Sequence, residues 1–115
     1  MCSKHIELLD NILSKTDAIA VAVGSGTIND TTKLCSHHQG RPYMIVGTAA
    51  SMDGYVAFGA SITKDGAKQT FGCAAPRAVV ADVNVVATAP SSMTASGYGD
   101  LYAKVACGAD WIVAD

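Results

Sequence analysis

The stretch "DAIAVAVGSGTINDTTK", residues 17–33, decides the fold class. Its apolar run, 18–23, is continuous, which is typical of a parallel strand buried on both faces rather than of a half-exposed edge strand. Gly24 and Gly26 interrupt the run, and a helical pattern follows them. A strand, a glycine turn and a helix in this order indicate an α/β fold.

The elements on either side extend this pattern. The turn is followed by a predicted helix from Thr27 to about Cys35, and a second apolar run at 43–47 predicts the next strand. Residues 18–47 therefore form one predicted βαβ unit. Apolar residues at helical spacing predict a further amphipathic helix from 3 to about 15.

The middle of the chain changes character. Three short β-like runs occur at 57–63, 68–73 and 78–82, and "KDG" at 64–66 is a suitable hairpin turn. After Pro90, a serine at 91 or 92 can cap a last helix that continues towards the C-terminus.

Composition limits the function classes. The chain has 115 residues, half of them hydrophobic and 16% charged, with a net charge of −2. This profile fits one globular domain and argues against a nucleic-acid binder. No apolar stretch approaches the roughly 20 residues that span a bilayer, and no signal-peptide core is present. Four widely spaced cysteines without a CxxC pair are typical of reduced thiols, so we expect a cytoplasmic protein.

The glycine turn has two interpretations. Backbone N–H groups and the positive end of the helix dipole converge after such a turn and can bind a pyrophosphate without basic side chains. The spacing Gly24-x-Gly26-x-x-Asn29 lacks the third glycine of the dinucleotide fingerprint, and no acidic residue follows about 20 positions later. Taken alone, the turn fits either a pyrophosphate site or a plain strand-to-helix connection.

A second polar stretch, "GTAASMDGY", follows the second predicted strand, where open α/β folds place their ligands. It offers the hydroxyls of Thr48 and Ser51 and one carboxylate, Asp53. Asp53-Gly54 is also a common turn pair, and the hydroxyls can satisfy nearby backbone groups. The local sequence leaves both interpretations open.

A third stretch, "ASGYGDLYAK", places Gly97 and Gly99 inside a predicted helix. Each glycine costs about 1 kcal/mol relative to alanine there, which predicts a close approach by another segment or a bend. Asp100 has two interpretations: it is a carboxylate metal ligand, or it forms an i,i+4 ion pair with Lys104.

In this order and spacing, "GSGTIND", "TAASMDGY" and "ASGYGDLYAK" with "GADW" resemble the sn-glycerol-1-phosphate dehydrogenases. That family belongs to the group of glycerol dehydrogenase, the iron-dependent alcohol dehydrogenases and dehydroquinate synthase. The similarity extends over nearly the whole chain from about Asp17. It implies an internal segment of such an enzyme, with an incomplete Rossmann-like dinucleotide-binding domain over 1–90 and the first helix of a metal-binding helical domain over 91–115.

The resemblance also implies an activity, the NAD(P)-dependent and metal-assisted reduction of dihydroxyacetone phosphate to sn-glycerol 1-phosphate. Thr48 and Ser51 would contact the cofactor nearer its nicotinamide. Asp53 would hold substrate hydroxyls, and Asp100 would ligate the metal and touch the substrate, so these two carboxylates are the implied catalytic residues. The metal would polarise the ketone. The implied pyrophosphate loop consists of Gly24, Ser25, Gly26, Thr27, Ile28, Asn29 and Asp30.

Three features depart from the family pattern. Ala57 stands where a serine that contacts the cofactor is usual, and Gly47 stands where a proline is common. The family completes its metal site, with zinc as first choice and nickel or iron as options, by two histidines on later helices. The chain has His5, His37 and His38, and the last two are expected at the surface. We therefore expect the metal site to be incomplete in this chain.

Three hypotheses follow. The leading one is a segment of a glycerol-1-phosphate dehydrogenase-like oxidoreductase, with glycerol dehydrogenase as the alternative activity. The others are a non-catalytic nucleotide-binding remnant and an interaction module. Leu101, Val105 and Ile112 form an apolar stripe on the last helix, which predicts a homo-oligomer. The sequence favours neither NAD nor NADP, and it does not decide whether this chain is active alone.

Overall fold

The computed structural model describes residues 3–64 and 66–114. Helix α1 (Ser3–Ser14) is followed by strand β1 (Ala20–Gly24), helix α2 (Gly26–His38) and strand β2 (Tyr43–Gly47). A one-turn 3-10 helix (Gly54–Val56) precedes strands β3 (Ala60–Lys64), β4 (Ala67–Phe71) and β5 (Ala78–Ala81). Helices α3 (Val83–Ala87) and α4 (Ser91–Ala114) follow.

The main sheet is parallel, with the strand order β1–β2–β5. Its register pairs Gly24 with Gly47 and Gly47 with Ala81. The three strands therefore end at the same edge, and the loops that begin with Ser25 and Thr48 leave the sheet side by side. This carboxyl edge is where parallel sheets bind ligands.

Most predicted elements are confirmed. Helix α2 connects two adjacent parallel strands, as the predicted βαβ unit requires, and it extends one residue earlier and three residues later than the predicted 27–35. β3 and β4 pair antiparallel as a hairpin. The turn predicted at 64–66 includes Asp65, which lies outside the described residues.

The prediction that β1 is buried on both faces is wrong. Ala22 is 3% exposed on the face that α2 covers, but Val21 and Val23 on the opposite face are 55% and 62% exposed. Val80 of β5 lies on that same uncovered face and is 43% exposed. The apolar run is typical of a strand that is covered on both faces. In the described part of the chain, no helix covers the face with Val21 and Val23, so these side chains are exposed.

The core forms around α2, which contacts the sheet, α1 and the β3–β4 hairpin. Six consecutive residues of the helix, 31–36, are buried. One apolar cluster lies in the sheet, and another lies between α2 and the hairpin. Their buried members are Ala22, Tyr43 and Ile45 in the first, and Leu34, Ala60, Ile62 and Cys73 in the second. In the described part of the chain, no helix is both long and apolar enough to cross a membrane.

Candidate functional site

The glycine loop lies at the carboxyl edge of the sheet. Ser25 is the N-cap of α2, and the Asn29 N–H donates the first helical hydrogen bond, to the Ser25 carbonyl at 3.0 Å. The N–H groups of the preceding first turn are of the kind that binds anions at helix N-termini. A Cβ on Gly24 would lie 2.8 Å from Cγ1 of Ile28. A side chain at position 24 would thus disturb this turn.

The two polar residues that end the loop motif are held by hydrogen bonds. The Tyr43 hydroxyl donates to Asn29 Oδ1 at 2.9 Å, and the Asn29 amide donates to Asp30 Oδ1 at 3.2 Å. Asp30 Oδ2 accepts from the Ser61 N–H at 3.2 Å. Burial raises the pKa of Tyr43 well above its usual range, so its hydroxyl stays a donor. Asn29 is fully buried and fixes the position of the loop.

The loop after β2 folds back onto the end of β1. The Thr48 N–H donates to the Gly24 carbonyl at 3.1 Å, and the Tyr55 hydroxyl donates to the Ala49 carbonyl at 2.7 Å. The Ser51 hydroxyl lies 3.3 Å from the Tyr55 hydroxyl. The Thr48–Gly24 bond holds the second motif against the first, and the two contacts of Tyr55 hold the loop itself together.

Met52 joins the same two motifs through its thioether. A Cβ on Gly26 would lie 2.7 Å from Met52 Sδ. The second glycine of the loop therefore permits the close packing of Met52 on the start of α2.

Helix α4 reaches this loop through Gly97. A Cβ on Gly97 would lie 2.0 Å from the Ala50 carbonyl oxygen, so the predicted close approach is confirmed there. Gly99 faces open space, and the structure gives no contact that explains it.

The two predicted catalytic carboxylates are neighbours. The Asp53 N–H donates to Asp100 Oδ2 at 3.1 Å, and the Lys104 ammonium lies 3.2 Å from Asp53 Oδ2. Lys104 therefore pairs with Asp53, which corrects the alternative of an ion pair with Asp100. The reason is that the loop carrying Asp53 comes within reach of α4, which sequence spacing alone does not show.

The negative charges of Asp53 and Asp100 lie near two lysines, Lys104 and Lys68. The hydrogen bond from the Asp53 backbone N–H is the main reason that the pKa of Asp100 is lowered, and the charges of Lys104 and Lys68 add to the effect. The hydrogen bond and charge of Asp53 raise the pKa of Lys104. Asp100 is therefore ionised at neutral pH.

An open cleft joins the three motifs. One arm, of about 490 Å³, is lined by Ser25, Gly26 and Thr27, and the other, of about 410 Å³, by Asp53, Asp100 and Lys104. The residues shared by both arms include Asp30, Ser51, Met52 and Lys68. The predicted site residues outside the lining are Gly24, Ile28, Asn29 and Thr48.

Sequence inspection missed Lys33, Met52 and Lys68. Lys33 follows Asn29 by four positions and Asp30 by three, a spacing that places all three on one helix face. Polar residues clustered on the core-facing side of a helix indicate buried side chains that hydrogen-bond to another segment. Met52 and Lys68 give no local signal, because their roles depend on loops that meet only in the folded chain.

The histidines and the described cysteines lie apart from the cleft lining. His37 and His38 are exposed as predicted, and His38 Nδ1 lies 2.6 Å from Asp10 Oδ2 of α1. The described cysteines are free: Cys35 and Cys73 are buried, and Cys107 is exposed. Burial is the main reason that the pKa of Cys35 is raised to about 12. Cys2 lies outside the described residues.

A resident metal does not fit the described residues by themselves. Among residues 3–64 and 66–114, no group of three or more His, Cys, Asp or Glu side chains is placed to hold a metal ion. Asp100 offers one carboxylate, already bonded to the Asp53 N–H. A catalytic zinc site takes about three protein ligands, so no reaction step is assigned to a metal.

Comparison with known families agrees with this geometry. The sequence model of the family described as "Iron-containing alcohol dehydrogenase" matches residues 2–90. The chain belongs to this family. The match covers the glycine loop and the loop of Asp53, the two segments that meet in the cleft.

Individual relatives confirm the narrower resemblance. A glycerol-1-phosphate dehydrogenase [NAD(P)+] of Bacillus velezensis is 43% identical over 103 residues, which are 90% of this chain and 26% of the relative. The protein of the same name from Pyrococcus horikoshii is 37% identical over 114 residues, covering 96% of this chain and 33% of the relative. The chain thus spans about a quarter to a third of such relatives.

Solved structures confirm the predicted fold class. A probable glycerol dehydrogenase from Sinorhizobium meliloti superposes with a TM-score of 0.79 at 29% identity, over 86% of this chain and 29% of that structure. A 2-deoxy-scyllo-inosose synthase superposes with a TM-score of 0.65 at 20% identity, over 76% of this chain and 27% of that structure. The second likeness concerns the fold alone.

Proposed function

We propose that this chain forms the cofactor- and substrate-binding cleft of a glycerol-1-phosphate dehydrogenase. The observation that carries the proposal is the convergence of three motifs, distant in sequence, on one cleft. The relatives named glycerol-1-phosphate dehydrogenase [NAD(P)+] support this choice of activity. The reaction would reduce dihydroxyacetone phosphate, with a hydride from NAD(P)H passing to the ketone carbon and a proton to its oxygen.

The residues have proposed tasks that follow from their positions. The first-turn N–H groups of α2 would bind the cofactor pyrophosphate, as helix N-termini bind anions. The Ser51 hydroxyl lies between the two arms of the cleft and would contact the nicotinamide half. Asp53 would accept hydrogen bonds from substrate hydroxyls, and the ion pair with Lys104 would hold its carboxylate in place. Thr48 would act through its backbone contact with Gly24.

Asp100 is proposed as one ligand of a divalent metal, with zinc preferred to nickel or iron. Its low pKa suits this task, because a ligand carboxylate must be ionised. The further ligands would have to come from residues other than those described, and metal analysis of a full-length relative would identify the ion.

The second candidate is glycerol dehydrogenase activity, favoured by the likeness to the Sinorhizobium meliloti structure. It would use the same two carboxylates with a substrate that lacks the phosphate. A non-catalytic nucleotide-binding module is the third candidate, and it predicts cofactor binding without turnover.

Cofactor binding is tested on the chain itself by fluorescence titration with NADH and NADPH. We expect saturable binding of at least one, and Gly24→Ala should weaken it at least tenfold because the new Cβ meets Ile28. The matched control is Gly108→Ala, where a Cβ meets open space. Absence of binding of both cofactors would contradict the proposal.

The substrate is tested in a chimera in which this chain replaces the matched quarter of the Bacillus velezensis enzyme. Turnover of dihydroxyacetone phosphate in clear preference to dihydroxyacetone is the expected result. The reverse preference supports glycerol dehydrogenase activity, and cofactor binding without any turnover supports the non-catalytic module. Asp53→Ala in the active chimera should raise KM for the ketone and leave KM for NAD(P)H unchanged.

A further inference from the structure

Lys33 is the most deeply buried charged group of the described chain. Its residue exposure is 1%, although it lies on the helix that begins with the glycine loop. Burial lowers its pKa, and the charge of Asp30 partly opposes this effect. An ammonium is costly to remove from water unless it is fully hydrogen-bonded.

The ammonium is satisfied by backbone carbonyls of another segment. Nζ donates to the Ala57 carbonyl at 2.8 Å and to the Gly59 carbonyl at 2.9 Å, and it lies 4.0 Å from Asp30 Oδ1. Asp30 in turn accepts from the Ser61 N–H. Two side chains of α2 therefore hold three backbone groups between residues 57 and 61.

The segment held in this way is the one that follows Asp53. The one-turn helix Gly54–Val56 links Asp53 directly to the anchored carbonyls. At the other end, Lys33 is seven residues from Gly26, roughly 10 Å along the helix axis. The anchor thus connects the start of α2 with the loop of Asp53.

We propose that Lys33, assisted by Asp30, is a positioning residue that sets the distance between the cofactor site and the substrate carboxylate Asp53. The proposal rests on the proposed function. Hydrogen bonds to the carbonyls of Ala57 and Gly59 fix both the orientation of the segment and its distance from α2. Apolar packing at this position would not do so, because it is not directional. Lys33 itself touches neither ligand.

The test compares Lys33→Met with Leu34→Ala. Met keeps an unbranched apolar stem like that of lysine but removes the terminal ammonium and its donors. The control shortens the adjacent buried residue, which belongs to the apolar cluster between α2 and the hairpin. In hydrogen exchange of the chain, Lys33→Met should accelerate exchange at residues 57–61 at least tenfold more than the control does.

Binding and kinetics separate positioning from simple stability. NADH affinity of the chain should change less than threefold in Lys33→Met, because the first turn of α2 is intact. In the chimera, kcat/KM for dihydroxyacetone phosphate should fall at least tenfold at saturating cofactor, and the control should keep this value within threefold. If Lys33→Met does not fold, Lys33→Gln, whose shorter and uncharged side chain still carries an amide donor group, is the second variant. It should likewise lower kcat/KM for dihydroxyacetone phosphate while NADH affinity changes less than threefold.

Three results would overturn the proposal. The first is unchanged hydrogen exchange at 57–61 in Lys33→Met, and the second is a loss of NADH affinity as large as the loss of kcat/KM. The third is an equal change of exchange and kcat/KM in Leu34→Ala. Failure of the wild-type chain to bind either NADH or NADPH contradicts the proposed function instead. The exchange experiment needs no ligand, so it then still tests whether Lys33 holds the segment.

Discussion

Six consecutive residues of α2 are buried, whereas none of the described residues of α4 is buried although that helix has 24 residues. Polar groups on α2 bond to the sheet and to the segment before β3. The contacts of α4 with the loop after β2 include those of Gly97, Asp100 and Lys104. Beyond them, Trp111 and Ile112 are 80% and 81% exposed.

The difference shows that the two sides of the cleft are held in place to different degrees. The cofactor side is built on a helix whose position is fixed by the core. The side with Asp100 depends on a few contacts of a helix that has no buried residue among those described. The four predictions that follow test this contrast.

The largest effect is expected for Gly97→Ala. Its Cβ would lie 2.0 Å from the Ala50 carbonyl oxygen, so α4 must move. We expect a destabilisation of about 1 to 3 kcal/mol, as for overpacked sites, and faster exchange of the Asp53 N–H. The matched control, Gly99→Ala, faces open space and should stabilise the helix by up to about 1 kcal/mol. Equal urea midpoints for the two variants would contradict the close contact.

Tyr43→Phe tests the cofactor side of the cleft, which is built on α2. The change leaves the buried Asn29 Oδ1 without its donor, which should cost about 1 to 3 kcal/mol in urea unfolding. NADH affinity should fall with it, since Asn29 supports the glycine loop. Tyr102→Phe, at a residue 68% exposed on α4, is the control and should change neither quantity. A stability of Tyr43→Phe equal to that of the control would show that this bond does not fix α2.

Acid should weaken the contact between α4 and the loop of Asp53, because Asp100 becomes protonated. The folded pKa of Asp100 lies below its ordinary 3.8, so its contribution is fully present above that value and is lost as pH falls through the folded pKa. Exchange of the Asp53 N–H, corrected for its intrinsic pH dependence, should lose protection in this range. Asp100→Asn should show no such acid transition. An identical acid profile in that variant would assign the effect to another group.

Lys104→Met should have the smallest effect on stability. Its ion pair with Asp53 is exposed, and such pairs contribute little. We expect an unchanged urea midpoint but a weaker depression of the Asp100 pKa, which carboxyl NMR measures directly. A clear drop in the midpoint would show that α4 depends on this pair rather than on Gly97.

The domain division and the homo-oligomer are among the sequence predictions that stay predictions. The division into 1–90 and 91–115 rests on the resemblance, and the homo-oligomer rests on the apolar stripe of α4. Leu101, Val105 and Ile112 are exposed at 60%, 69% and 81%. Sedimentation of the chain at several concentrations would test association through this face.

The sequence by itself determined the βαβ unit and the three motifs, because strand and helix periodicity and the glycine requirement are local properties. It also predicted a close approach or a bend at Gly97 and Gly99, since a glycine inside a helix is costly, and the structure shows the close approach at Gly97 alone of the two. Only the tertiary structure decided that Lys104 pairs with Asp53, that Lys33 anchors residues 57 and 59, and that one face of β1 is uncovered. Each of these depends on which distant segments meet, and residue spacing along one chain carries no information about that.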